Sequence, residues 1–285
     1  MAQRTDLAQE AYRLWQKDAG ETTGLSGVRA EERVLHGQAV TLVEILDDEG
    51  SNTLCKPIGR YATLSLDNCL TKTPEAFRNT CLAAAELIRT LSGPGSDLPV
   101  LVVGLGNRSM TPDSIGPRTA DRVLATRHLT AADGIPSGLF SPVAVLQPGV
   151  LGTSGLESAE AVRAVADALH PRLIIAVDAL AAAEPERLCR TLQITDTGIS
   201  PGSGVGNRRA TLDRASLGIP VISVGIPTVI DAAAFCSGEI QSSGLMVTPK
   251  DIDLLVDETV SVAAMGINLA LHPNLSFEEA ELLVL

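Results

Sequence analysis

The sequence predicts an α/β fold: a mainly parallel sheet with helices on both faces, plus a small antiparallel N-terminal portion. Three observations lead there. Short apolar runs recur at residues 100–103, 142–146, 173–177 and 219–224, each bounded by turn formers as buried strands are. Helical patterns alternate with these runs, which suits a sheet wrapped on two sides. The chain has 285 residues, 45% hydrophobic but only 2% aromatic, so a sizeable core must be built from Ala, Val, Leu and Ile.

Taken in order, residues 2–18 carry a helical pattern with Leu7, Ala11 and Leu14 on one face. Residues 31–45 become strand-like, with Val40, Leu42 and Ile45 apolar, and residues 47–50 form an acidic turn. Residues 61–66 read as a strand. Thr73-Pro74 opens a helix through Leu91, with Pro in the first turn and Phe77, Cys81, Ala84 and Ile88 on one face. After the run at 100–103, residues 118–129 read as a helix. A strand at 142–146, a glycine-rich loop at 147–155 and a helix at 157–169 follow. The run at 173–177 ends directly on Asp178. Residues 188–194 and 219–224 read as strands, 246–250 as a turn and 251–265 as an amphipathic helix. The first 70 or so residues suit antiparallel strands at a sheet edge. No linker divides the chain, so residues 7–285 are expected to form one domain.

A formal net charge of −12 disfavours binding to nucleic acid or to an anionic membrane surface. Five cysteines (Cys55, Cys69, Cys81, Cys189, Cys236) are odd in number and lack CxxC spacing, which suits free thiols in a reducing compartment. The N-terminus shows no apolar signal region, and no apolar run reaches the length of a membrane span. A cytoplasmic protein without a membrane partner is expected.

Candidate chemistry centres on residues 100–117, VLVVGLGNRSMTPDSIGP. Gly104 and Gly106 permit a sharp turn after the strand, and Asn107 can bond its own backbone. A dinucleotide fingerprint fails because its third glycine position is Ser109. Asp113 follows one apolar strand and Asp178 another, and parallel strands bring their ends to one edge. Two carboxyls meeting over one water can divide acid and base roles, because like charges in close approach cannot both ionise. By pattern alone, both read more simply as strand-end aspartates that cap helices. Asp196-Thr197-Gly198 matches the D-T-G of pepsin-like proteases, but the α/β pattern is wrong for their all-β fold; Asp196 reads as a loop-shaping or supporting residue. Residues 201–207, PGSGVGN, could close-pack beside the site or form a backbone nest for an oxyanion from Gly202, Ser203 and Gly204. The four histidines show no metal spacing, so neither metal nor cofactor is expected. Arg208-Arg209 reads as a solvated pair, with substrate steering as the alternative.

Taken together, RTDLAQEA (4–11), VVGLGNRSMTPDSIGP (102–117), QPGVLGTSGLES (147–158), IIAVDALAA (174–182), QITDTGISPGSGVGN (193–207), GIPVISVGIPTVIDA (218–232), MVTPKDID (246–253) and GINLALHP (266–273) resemble one family. It is the germination protease of spore-forming bacteria, which degrades small acid-soluble spore proteins. The resemblance implies a zymogen that cuts itself between Asp6 and Leu7, leaving residues 1–6 as a propeptide shorter than the family's. It implies an atypical aspartic mechanism whose two essential residues match Asp113 and Asp178, and a homotetramer in the spore cytoplasm. The family's fold also looks like that of hydrogenase-maturation endopeptidases, which use a metal. A metal-dependent processing endopeptidase with the same carboxylates as ligands is therefore an alternative, and an inactive spore-protein-binding homologue is another. The connector at 232–245 is shorter than the family often carries.

Overall fold

The computed structural model describes residues 5–20, 24–69, 73–93, 98–129, 134–136, 138–202, 209–235 and 244–284. Its strands are β1 (Val28–Leu35), β2 (Gln38–Ile45), β3 (Gly59–Ser65), β4 (Val100–Gly104), β5 (Val143–Leu146), β6 (Leu173–Ala182), β7 (Thr191–Thr195), β8 (Val221–Asp231) and β9 (Met246–Val247). The helices are α1 (Ala8–Ala19), α2 (Asp48–Leu54), α3 (Pro74–Ser92), α4 (Ile115–Asp121), α5 (Leu151–Ser154), α6 (Ser158–Leu169), α7 (Arg214–Leu217), α8 (Ile252–Leu271) and α9 (Phe277–Val284).

All the described strands join one sheet in the order β1-β2-β3-β7-β8-β6-β4-β5, with β9 against β8. The expected mainly parallel sheet is corrected to a mixed one. Only β4 with β5, β4 with β6 and β6 with β8 pair in parallel. The N-terminal strands and β7 pair antiparallel, β7 with both β3 and β8. Connection length explains β7. Residues 183–190 are too few for the crossover of a dozen or more residues that a parallel return needs. The chain therefore runs back.

Alternation along the central strands sorts the core into two layers. Val100, Val102, Leu173, Ile175 and Val177 face α3 and α8, whereas Leu101, Val103, Ile174 and Ala176 face α6. The core is aliphatic, as composition required. Where α8 crosses α3, a Cβ on Gly266 would lie 2.8 Å from that of Ala84, so glycine permits the close approach. Helix α8 is long and apolar enough to cross a membrane by length and composition, but it lies packed in this core.

Several boundaries differ from the sequence reading. Helix α4 starts before residue 118 and stops at Asp121. Its continuation is captured by Asn268, whose Oδ1 accepts from Leu124 N–H (2.9 Å) and whose Nδ2 donates to the Arg122 carbonyl (2.9 Å). The acidic turn at 47–50 is the start of α2, with Asp47 capping Gly50 N–H at 3.0 Å. The turn at 246–250 includes the short strand β9. Strand β6 does not end on Asp178; it runs on to Ala182 because β8 accompanies it through Ile230. Strand β4 stops earlier, opposite Val177. Beyond that point one edge of β6 is open to another chain segment.

A candidate active site at the open edge of β6

The loop after β4 is shaped by glycine. A Cβ on Gly106, at φ +110°, would lie 2.1 Å from the Asp113 carbonyl oxygen and 3.1 Å from its Oδ1. A Cβ on Gly116 would fall 2.1–2.4 Å from the Leu105 backbone and the Val177 carbonyl. These contacts draw the 107–114 turn down onto the ends of β4 and β6. Within it, the backbone N–H of Asn107 donates to Asp113 Oδ2 at 2.8 Å. The Asn107 side chain instead accepts from Ser109 N–H at 3.0 Å, which fixes the turn. Thr228 braces the loop from β8: its hydroxyl donates to the Pro112 carbonyl at 2.6 Å.

Asp113 and Asp178 both line a 470 Å³ cavity over this edge. Asp178 is 4% exposed and accepts from Ala179 N–H at 2.9 Å. Burial, then the charge of Asp113, pushes its pKa up to about 8. Half-buried Asp113 is raised by burial too, but the Asn107 N–H and the Arg209 guanidinium favour its ionised form. Burial raises both carboxyls, Asp178 the further, and the pair titrates as a unit.

The N-terminal segment reaches the same cavity at Asp6. Asp6 N–H donates to the Ala181 carbonyl (2.9 Å), and Ala181 N–H donates to Asp6 Oδ2 (2.8 Å), on the edge of β6 that β4 leaves free. Leu7, fully buried, packs among Leu180, Ala182, Leu188 and Ile230. Glu10, also fully buried, accepts from Ala183 and Glu184 N–H and from the Thr5 hydroxyl. The Lys56 ammonium donates to the Thr5 carbonyl at 2.7 Å. These anchors explain why helix α1 begins only at Ala8 rather than at residue 2. Removing the Lys56 anchor as Lys56→Met is expected to loosen the segment by about 1.5–3 kcal/mol. The measurement is amide exchange at Asp6, which should speed up by at least tenfold; unchanged exchange would show the anchor to be idle.

Of the other sequence-predicted residues, Gly202 lines the cavity, and Ser203 and Gly204 lie outside the described residues. Most of the 201–207 nest and Cys236 do so as well. Asp196 is not in the cavity: its carboxylate accepts from Arg60 N–H (2.8 Å) and Arg60 Nε (2.7 Å), tying β3 to the end of β7. Among the described residues no three His, Cys, Asp or Glu side chains gather as metal ligands would. Arg209, read as a solvated residue, lines the cavity and acts on both aspartates. Lys56, Glu10 and Gln193 gave no signal in sequence; their roles arise from contact with a distant segment.

The comparisons agree with this geometry in extent. A germination protease family model matches residues 5–242. Germination proteases of Caldanaerobacter subterraneus subsp. tengcongensis and Clostridium tetani are 37% and 36% identical, over 97% and 98% of this chain and 96% and 98% of theirs. That of Bacillus cytotoxicus is 41% identical over 84% of this chain and 66% of its own length. A match of this length, through the loop of Asp113, the strand of Asp178 and the docked N-terminus, means that the chain belongs to the germination protease family.

Proposed function

We propose that this protease is a self-processing zymogen that cuts the Asp6–Leu7 bond and then degrades small acid-soluble spore proteins during germination. The observation that carries the reading is the stretch ahead of α1: Asp6 lines the cavity that Asp113 and Asp178 share and bonds Ala181 on the edge of β6, and Leu7 follows it in extended backbone. On this reading the mechanism is of an aspartic type. The Asp113 carboxylate takes a proton from water as the water oxygen bonds to the Asp6 carbonyl carbon. Asp178, kept neutral by burial, gives its proton to the Leu7 nitrogen as the C–N bond breaks. The proton on Asp113 then restores the pair. Residues 7–285 form the mature enzyme, a homotetramer in the spore core, with the overall fold of the hydrogenase-maturation endopeptidases.

The test is intact mass before and after mild acidification, with Asp113→Asn alongside. Loss of residues 1–6 in the wild type alone supports the reading; equal loss in both would remove it. The metal-dependent alternative makes a different forecast, since metal ligation needs a fixed ligand set. Preincubation with excess chelator is expected to leave the processing rate within about twofold; a collapse restored by a divalent ion would favour the alternative.

A further inference from the structure

Gln193 stands on β7, 5% exposed, and its side chain meets the N-terminal segment with both ends of its amide. Nε2 donates to the Asp6 carbonyl oxygen at 3.1 Å, and Oε1 accepts from Ala8 N–H at 2.8 Å. The amide orientation follows from chemistry: Ala8 N–H can only donate, so the oxygen must face it and the NH₂ must face the carbonyl. The amide thus brackets the Asp6–Leu7 peptide bond.

Register places this residue opposite the aspartates. Asp178 pairs with Gly225 on β8, and Gly225 pairs with Gln193 on β7, so the three form one row across the sheet. The alternation that sends Leu192 and Ile194 to the α3–α8 layer sends Gln193 to the face that Asp178 also uses. Gly225 has no side chain there, and the Leu180 side chain fills the space: a Cβ on Gly225 would lie 2.4 Å from Leu180 Cδ1. Asp6 and Leu180 line both the cavity of the aspartates and a second cavity of 680 Å³, which Gln193 lines. Asp178 and Gln193 therefore approach the Asp6 residue from different cavities.

We propose that Gln193 is a catalytic residue: its Nε2–H stabilises the oxyanion that develops on the Asp6 carbonyl oxygen, while its Oε1 holds the chain on the leaving side through Ala8 N–H. The idea rests on the proposed cut at Asp6–Leu7. Water adds to the carbonyl carbon, the C=O electron pair moves onto oxygen against the Gln193 N–H, and it returns as the C–N bond breaks. A preorganised, buried donor at the developing charge is effective because it needs no reorganisation during reaction. A side-chain amide here offers the donor that the sequence reading weighed, as an alternative to close packing, for the 201–207 loop.

The experiment is single-turnover self-processing of the full chain, read by mass, with amide exchange at Ala8 measured in parallel. Gln193→Glu keeps the acceptor for Ala8 N–H and, where its carboxyl is ionised, loses the donor to the Asp6 carbonyl; the rate is read across pH because a protonated carboxyl still donates. Its processing rate is expected to fall about 10²–10³-fold, with Ala8 protection retained. A rate within threefold of wild type would overturn the inference, and so would loss of protection together with rate, which would make Gln193 an anchor only. Should the variant fail to fold, the wild-type enzyme is given a peptide copying residues 2–13 with lactate in place of Ala8. Loss of that N–H is expected to raise KM about fivefold, in line with one neutral hydrogen bond; an unchanged KM overturns the clamp. A wild type that does not cut at Asp6–Leu7, or an Asp178→Asn variant that cuts at the wild-type rate, overturns the proposed function and this inference with it. Normal behaviour of both, with Gln193→Glu unimpaired, overturns this inference alone.

Discussion

Asp178→Asn is expected to lower the rate of Asp6–Leu7 cleavage by about 10³-fold or more, and at the same time to stabilise the fold at alkaline pH. The first effect follows from losing a positioned proton donor, a role that contributes typically about 10²–10⁴-fold. The second comes from burial. Asp178 is 4% exposed and its pKa is pushed up to about 8, far above that of an aspartate in the unfolded chain. Between those two values the folded protein holds a proton that the unfolded chain has released. Stability contributed by the neutral carboxyl is therefore fully present at acid pH and is lost as pH rises through the window up to about 8. At about 1.36 kcal/mol per pKa unit, the upper limit of that loss is on the order of 5 kcal/mol. Asparagine has no proton to lose, so the variant's melting temperature should stay level where the wild type's declines. Denaturation curves at pH 6 and pH 9 decide the matter: a wild type and variant that decline in parallel would show that Asp178 is ionised in the fold. Opposite signs for activity and stability are expected of a strained functional group rather than a structural one.

Gly116→Ala is expected to destabilise the protein by about 3 kcal/mol, at the upper end of what overpacking costs. The added Cβ would lie within 2.1–2.4 Å of the Leu105 backbone and the Val177 carbonyl, and no side chain can yield there. Those atoms belong to the β4 exit and to β6, so relaxation would lift the 107–114 turn away from Asp178. Urea unfolding measures the loss, and cleavage by the folded fraction should fall as well. A variant with wild-type midpoint would mean that the loop is freer to move than these contacts indicate.

Much of the site's frame was legible in the sequence because it is local. Val100–Gly104 reads as a buried strand, the glycines after it read as a turn, and Asp113 follows at a fixed short distance. Asp178 was legible as the first polar residue after an apolar run. That it lies mid-strand was not, since the continuation Ala179–Ala182 is supported by β8, some 40 residues further on. Strand direction was illegible at β7 for a related reason: alternation records which face is buried, not which way the chain runs. The early end of α4 depends on Asn268, and the roles of Glu10, Lys56 and Gln193 depend on a segment that folds back across the sheet. Patterns within one stretch carry no trace of such partners. Arg209 sits beside a glycine-rich run whose composition reads equally as solvated loop.

The open edge of β6 also bears on the order of events in a spore. A segment can pair with Ala181 only when its own backbone groups are free and its chain is extended. A target sequence locked in a helix, or covered by something it coats, offers neither. Cleavage should then follow the small population of target chains that have let go of their own structure or their own ligand. On the proposed function, the timing of degradation would be written into the targets rather than into the enzyme, and digestion would begin only as they are released.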